Sequence, residues 1–309
     1  MKQWRHGLEN FALSGLGIAF RRLPRSISIR LGESLAGLVY LLGIRVPVTK
    51  DNLAQAFPDL DPGQIQKIAC GCYRHFGALL AEFARLPLIK RENLSDLVEI
   101  EGLQVMNQAR AEGRGVIVVS GHLGNWELMG AAFAILGYPV SYVVTRQENE
   151  LVERQMDNLR RGAGTEIIKR RDAAKGVLKA LRQNCLVAIL SDQDAHEAGA
   201  FVPFFGRPAS TPRGAALFAL RTGAALIFAE SYRQGLGRLR VIFERIPVND
   251  LPADRDAAVH ELVRRFTARL EKAVRRHPQQ WFWMHRRWKT SPPGPPSPLS
   301  QGEQGDDGY

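Results

Sequence analysis

Between residues 115 and 145 the chain is almost without charge. Glu127 is the only Asp, Glu, Lys or Arg there, in a sequence that is 24% charged. Val116-Ile117-Val118-Val119 is a β-branched run of the kind that forms a strand buried on both faces. Residues 128–136 then read as a buried helix, stopped by Gly137 with Pro139 just beyond. The alternation continues downstream. Residues 140–145, 165–169, 186–191, 225–232 and 238–245 have strand patterning, the last alternating less cleanly, as an edge strand would. Residues 148–161, 173–182 and 254–277 have helical spacing, and Thr211 with Pro212 suits the start of a further helix through Arg221. Upstream, 51–90 reads as helical, with Asp61 as a cap before residues 64–74. Residues 97–101 form a short strand, and 103–112 a helix leading into the central strand. Strands alternating with helices predict an α/β fold with a mostly parallel central sheet flanked by helices.

The first 46 residues differ in kind. They mix cations (Lys2, Arg5, Arg21, Arg22, Arg25, Arg30) with the charge-free stretches 10–20 and 34–44. Each stretch is shorter than the about 20 apolar residues a spanning helix needs. Helices lying on an anionic bilayer surface fit this pattern, and so does an amphipathic pair packed on the domain. The chain therefore divides into residues 1–50, amphipathic membrane-associating helices; 51–289, the α/β domain; and 290–309, a Pro-, Gly- and Ser-rich disordered tail. A net charge of +11 points to a polyanionic partner: nucleic acid, anionic lipid or a phosphorylated substrate. The Trp-rich, basic stretch 280–289 suits a membrane interface or a nucleic-acid platform. Cys70, Cys72 and Cys185 read as buried thiols without metal-ligand spacing.

Chemistry concentrates at the strand ends, where open α/β sheets bind ligands. The uncharged window offers His122 and Glu127 there. One reading is a histidine satisfied by a backbone carbonyl and a glutamate that starts a helix. The other places His122 in the turn and Glu127 in the first helical turn, so that Glu127 holds one ring nitrogen and leaves the other as a base. Neighbouring strands would deliver Arg146, Arg170 and Asp192-Gln193, a set of polar and anion-binding groups. Phe201, Phe204 and Phe205 lie in an apolar loop that would line an acyl-chain pocket or pack the core. No phosphate loop, Gly-x-Ser-x-Gly elbow or dinucleotide fingerprint is present. His122 and Glu127 also lack further ligands at metal-binding spacing.

These residues carry a resemblance. Ser120-Gly121-His122-Leu123-Gly124-Asn125-Trp126-Glu127-Leu128 resembles the His-x4-acid block of glycerolipid-type acyltransferases, in the Glu form of the bacterial lipid A late acyltransferases (lauroyl/myristoyl transferases). Asn52-Leu53 with Phe57-Pro58 resembles that family's early segment. Ser191-Asp192-Gln193-Asp194 followed by Phe201-Val202-Pro203-Phe204-Phe205-Gly206 and Thr211 resembles its third block. His277-Pro278, Trp281-Phe282-Trp283 and His285-Arg286-Arg287-Trp288-Lys289 resemble its ending.

The resemblance implies transfer of a fatty acyl group from an acyl carrier protein thioester to a hydroxyl of a phosphorylated lipid A precursor, at the cytoplasmic face of the inner membrane. His122 would be the general base and Glu127 its orienter. Arg170, Asp192, Gln193, Arg146 and Asn125 would bind substrate, and Phe201, Phe204 and Phe205 the acyl chain. No cofactor or metal is needed, because the thioester carries the driving force. A different glycolipid or a lysophospholipid as acceptor, of phosphatidylinositol mannoside type and with acyl-CoA as donor, would leave the chemistry unchanged. A nucleic-acid partner is not expected, since it leaves the His/Glu pair unexplained.

Overall fold

The computed structural model describes residues 2–235 and 237–292. Four helices come first: α1 (Lys2–Arg22), α2 (Arg25–Leu41), α3 (Val46–Ala56) and α4 (Pro62–Ala84). Asp61 caps α4 as its sequence predicts: its side chain accepts from the Gln64 N–H, and the Gln64 side chain returns to the Asp61 N–H. There follow α5 (Leu94–Leu97), β1 (Val98–Glu101), α6 (Leu103–Ala111), β2 (Val116–Ser120), α7 (Trp126–Ile135), β3 (Val140–Val144), α8 (Glu150–Gly162), β4 (Thr165–Lys169), α9 (Ala173–Arg182) and β5 (Leu186–Leu190). A hairpin of β6 (Ala200–Phe204) and β7 (Arg207–Thr211) precedes α10 (Gly214–Thr222), β8 (Ala225–Gln234), β9 (Arg238–Arg245) and α11 (Arg255–Arg276).

Seven strands form one sheet in the order β1-β9-β8-β2-β5-β3-β4, parallel at every pairing except β8 with β9. The central strands alternate their burial between two cores. Ile117, Val119, Val187 and Ile189 face α9, α10 and α11, while Val116, Val118 and Leu186 face α7. Helices thus cover both faces, which is why β2 and β5 read as continuous apolar runs. Three local expectations are corrected. Thr211 ends β7 and does not cap α10, whose capping residue is Arg213. Phe201, Phe204 and Phe205 belong to a hairpin. Strand β9 is not an edge, because β1 pairs along its outer side.

The N-terminal helices are docked on the domain. Helix α2 crosses α4 with backbones almost touching, since a Cβ on Gly77 would lie 2.1 Å from the Gly32 carbonyl oxygen. Helix α1 lies beside α8, where Asn149 donates to the His6 carbonyl (3.1 Å) and Gln155 to Asn10 (2.8 Å). Residue 50 falls inside α3. The outward faces are apolar: Trp4, Phe11, Leu41 and Leu42 are 88%, 76%, 80% and 67% exposed. Among the described residues no single helix is long and apolar enough to cross a membrane. Helices α2 and α3 together reach that length and composition, but with a bend of 92° between them. The tail expected from residue 290 lies, from 293 onward, outside the described residues.

Substituting Gly77→Val should force α2 away from α4 and cost at least about 1–3 kcal/mol of stability, as overpacking does. Gly37→Ala, on the same helix α2 but with open space around its Cβ, should be neutral or slightly stabilising. Chemical denaturation of the two variants checks both.

Candidate functional site: a histidine–aspartate pair at the sheet's carboxyl edge

Strand register builds the site. Ser120, the last residue of β2, is paired with Leu190, the last of β5. Two residues further along each chain, His122 meets Asp192. His122 Nδ1 lies 2.7 Å from Asp192 Oδ1, and the His122 backbone N–H donates to Oδ2 at 2.6 Å. Trp281 Nε1 donates to the same Oδ2 at 2.8 Å. Burial opposes the charge on Asp192, but His122 and these hydrogen bonds outweigh it and hold the carboxyl below its ordinary range. An ionised carboxylate only accepts, so Nδ1 is the nitrogen that carries a proton toward Asp192, and Nε2 is the one that has a lone pair whenever the ring is neutral. Nε2 has no hydrogen-bond partner among the described residues, and the His122 side chain is 23% exposed. The ring is held edge-on by Trp126, at 4.8 Å between centroids, with Phe282 beyond at 6.1 Å. The arrangement is an oriented imidazole with one basic nitrogen open to a substrate.

Asp192, not Glu127, is therefore the residue that holds the imidazole. Glu127 sits in the first turn of α7, and its side chain turns to the opposite core. There Arg160 of α8 clamps it with two bonds, Nη2–Oε1 at 2.5 Å and Nε–Oε2 at 3.0 Å. Burial works against the guanidinium, yet the bonds to Glu127 raise its pKa above the ordinary value. Glu127 also accepts from Trp126 Nε1 at 3.2 Å, which links the pair to the ring that packs on His122. Arg160 carried no sequence signal beyond its place on a polar helix. A narrow apolar cavity lies beside this pair, walled by Val118, Trp126, Met129, Tyr142, Val144 and Leu190.

The loop between β2 and α7 is fixed from several sides. Gly124 has φ 62°, and a Cβ there would lie 2.0 Å from the Ser231 carbonyl oxygen, so only glycine fits. His75 of α4 donates from Nε2 to the Gly124 carbonyl at 2.9 Å. Burial, and then the Arg233 charge, push His75 down to about 4, which keeps it neutral. Asn125, expected to bind substrate, is fully buried. Its Oδ1 caps α7 at the Leu128 N–H (3.0 Å), and its Nδ2 donates to Glu82 (2.7 Å). Glu82 is gripped in turn by Arg233 (2.8 and 2.5 Å) and by Arg25 of α2 (2.5 Å).

Arg146 and Arg170 do meet, at the carboxyl ends of β3 and β4. With Arg154, Lys169 and Arg171 they line an open pocket of about 790 Å³, to which Glu150 and Glu153 also contribute. Arg146 is paired with Glu150, and Lys169 with Glu153 and Asp157. Gln193 is half-buried next to Asp192. Phe204 and Phe205 border neither of these cavities. They are buried in an aromatic core with Phe57, Trp281, Trp283 and Trp288, while Phe201 is half-buried with its carbonyl 2.9 Å from His260 Nε2. The Trp-rich ending is likewise interior: Trp281 and Trp283 are 1% and 0% exposed, so neither serves as an exposed stacking platform or interface anchor.

Asp192→Asn should leave the fold intact and lower turnover by about 10²–10⁴-fold, because an amide in that position frees the ring to take the wrong tautomer. Thermal melting alongside steady-state kinetics checks this. Glu127→Ala should lose activity together with about 3–5 kcal/mol of stability, since it strands the buried Arg160 charge. The double variant Glu127→Ala/Arg160→Met should recover most of that stability in a urea titration.

Comparison with known proteins gives the family. The pattern of the family described as bacterial lipid A biosynthesis acyltransferase matches residues 3–290. The lipid A biosynthesis palmitoleoyltransferase of Escherichia coli is 26% identical over 285 residues, covering 91% of each chain. The lipid A biosynthesis lauroyltransferase of the same organism is 25% identical over 288 residues, 92% of each. The phosphatidylinositol mannoside acyltransferase of Mycobacterium tuberculosis is 26% identical over 245 residues, 77% of this chain and 76% of that one. With the match running nearly end to end, the chain belongs to the bacterial lipid A biosynthesis acyltransferase family and is an acyltransferase of glycolipid synthesis.

Proposed function

We propose that the protein transfers a fatty acyl group from an acyl carrier protein thioester to a hydroxyl of a phosphorylated lipid A precursor, with His122 as general base. The observation that carries this reading is the oriented His122 imidazole, its Nε2 open at the carboxyl edge of the sheet. A sugar hydroxyl is a poor nucleophile near neutral pH, so proton removal in the transition state is worth about 10²–10⁴-fold. The acceptor oxygen gives its proton to Nε2 as it attacks the thioester carbonyl. The tetrahedral intermediate then collapses, and the leaving thiolate takes the proton back from the imidazolium. Asp192 stabilises that imidazolium without itself being protonated. The first N–H groups of α7, at Trp126 and Glu127, have no acceptor within their helix and lie at its positive end. They are suited to the developing oxyanion.

The surroundings support a phosphorylated lipid acceptor. The basic pocket at Arg146 and Arg170 gives guanidinium groups to phosphate. It adjoins α8, against which α1 lies with Trp4, Leu8 and Phe11 exposed. A helix of that kind rests in the interface of an anionic bilayer and brings the pocket to headgroup depth. Attachment is thus peripheral or monotopic, at the cytoplasmic face of the inner membrane. No cofactor enters any step.

The test uses purified protein in mixed micelles, dodecanoyl- to hexadecanoyl-acyl carrier protein or the matching acyl-CoA as donor, and a panel of acceptors. The panel holds a tetra-acylated lipid A precursor, a phosphatidylinositol mannoside and a lysophospholipid, because identity to the mycobacterial relative is no lower than to the enterobacterial ones. One acyl chain should be added to the lipid A precursor, and His122→Ala should be inactive while folded. Full activity of His122→Ala sinks the mechanism, and transfer to another acceptor alone replaces the substrate.

A further inference from the structure

Residues 280–282 run along the loop that carries His122. Leu123 and Trp281 form an isolated antiparallel bridge. The Gly124 N–H donates to the Gln280 carbonyl (3.0 Å), and the Phe282 N–H to the His122 carbonyl (3.1 Å). The Trp281 carbonyl accepts from Cys72 Sγ of α4 at 3.2 Å, so the segment is held on its far side too. Its indole then reaches the one carboxylate that holds the base.

We propose that Trp281 is a positioning residue for the general base, acting through Asp192: its indole N–H fixes the carboxylate that orients His122 and takes up part of its charge. This rests on the reading of His122 as the base. Asp192 Oδ1 has the ring N–H as its donor, and Oδ2 has two donors, the His122 backbone N–H and Trp281 Nε1. Both lobes of the carboxylate are thereby set, and with them the plane in which the imidazole lies. A neighbouring residue shows that this placement is not a general need of the aromatic core. Trp283 is equally buried, at 4.5 Å between ring centroids, yet its N–H donates to the Pro278 carbonyl (2.6 Å). Two adjacent indoles thus carry different loads.

The consequence is a change in proton affinity with a definite sign. Removing the indole N–H leaves more of the Asp192 charge to act on His122, which stabilises the imidazolium. The other charged or titratable groups around the pair stay in place. They are Asp194 after β5, then His285 and Arg287 of the C-terminal segment, and the Glu127–Arg160 pair behind Trp126. Arg287 is buried, bonded to the Ser210 carbonyl (2.5 Å) and the Thr211 hydroxyl (2.5 Å), and sensed by Asp192 and Asp194. None of these contacts involves the Trp281 N–H.

The experiment titrates ¹⁵N-histidine-labelled full-length protein by NMR, with the His122 signal assigned by its loss in His122→Ala. In Trp281→Phe the His122 midpoint should rise by roughly 0.5–1 pH unit, the size expected when a hydrogen bond to a charged group is removed. Trp283→Phe should leave it unchanged. In kinetics, Trp281→Phe should lower kcat about tenfold with KM for the acyl donor within about twofold, and move the acidic limb of kcat/KM to higher pH. Should Trp281→Phe fold poorly, replacement of Trp281 by benzothienylalanine keeps the ring volume and removes only the N–H. An unchanged His122 midpoint in that isostere overturns the proposal, as does an equal shift in Trp283→Phe. The NMR readout needs no substrate, so it fails separately from the acyl-transfer reading, which falls on full activity of His122→Ala.

Discussion

A single carboxylate organises the active edge of this protein. Asp192 is 2% exposed, and an anion so buried is tolerated only where donors converge on it. Here three donors come from two places in the chain, the ring and backbone of His122 in the loop after β2 and the indole of Trp281 beyond α11, and meet on the carboxylate that the end of β5 supplies. Each donor satisfies the charge and is located by it. The imidazole acquires its tautomer, the loop its path, and the C-terminal segment its seat from one group. The loss of any one leaves the other two attached to an undersatisfied ion in a low-dielectric setting, which is why so much local backbone is invested around it.

The same economy is repeated one layer away, with opposite charges. Glu82 draws together Arg25 from α2, Arg233 from β8 and the Asn125 cap of α7. Burial opposes its ionisation, but Arg233 and Arg25 hold its pKa low. Glu127 and Arg160 do the same between α7 and α8. The first turn of α7 is therefore anchored by buried ions on two sides, and the apolar N-terminal helices are wired to it through Arg25. The N-terminal helices and the α/β domain are one packed object.

Much of this was written in local pattern. The apolar runs of β2 and β5, the Asp61 cap, the polar face of α8 and the charge-free window around His122 are all consequences of short-range rules. His122 was legible as a candidate base because a lone imidazole stands out between apolar walls, at the end of a strand where ligands bind. Its partner was not, since Glu127 is five residues away while Asp192 is brought in only by the register of β2 on β5. Within α7 the spacing to Glu127 was consistent with contact, and the decision fell to Arg160, whose approach from α8 no local pattern encodes. The Phe201 segment read equally as a pocket wall or as core, and Phe204 and Phe205 take the second place; the Trp-rich ending looked like a surface because aromatic and basic residues together have that composition. In the fold Arg275 and Arg287 stack on Phe205 and Phe204 (4.4 and 5.2 Å), so the cations cover the aromatic core and in Arg287 enter it. Composition reports which groups are present, not which side of the surface they occupy.

The bridge between Leu123 and Trp281 also makes the site depend on a distant part of the chain. Domains fold as units, and here the indole that reaches Oδ2 lies 89 residues beyond Asp192. A chain cut before residue 280 would keep His122 and Asp192 but lack the donor at Oδ2 and the carbonyl that accepts from the Gly124 N–H. Damage to the segment after α11 would therefore be felt at the imidazole without altering either member of the pair.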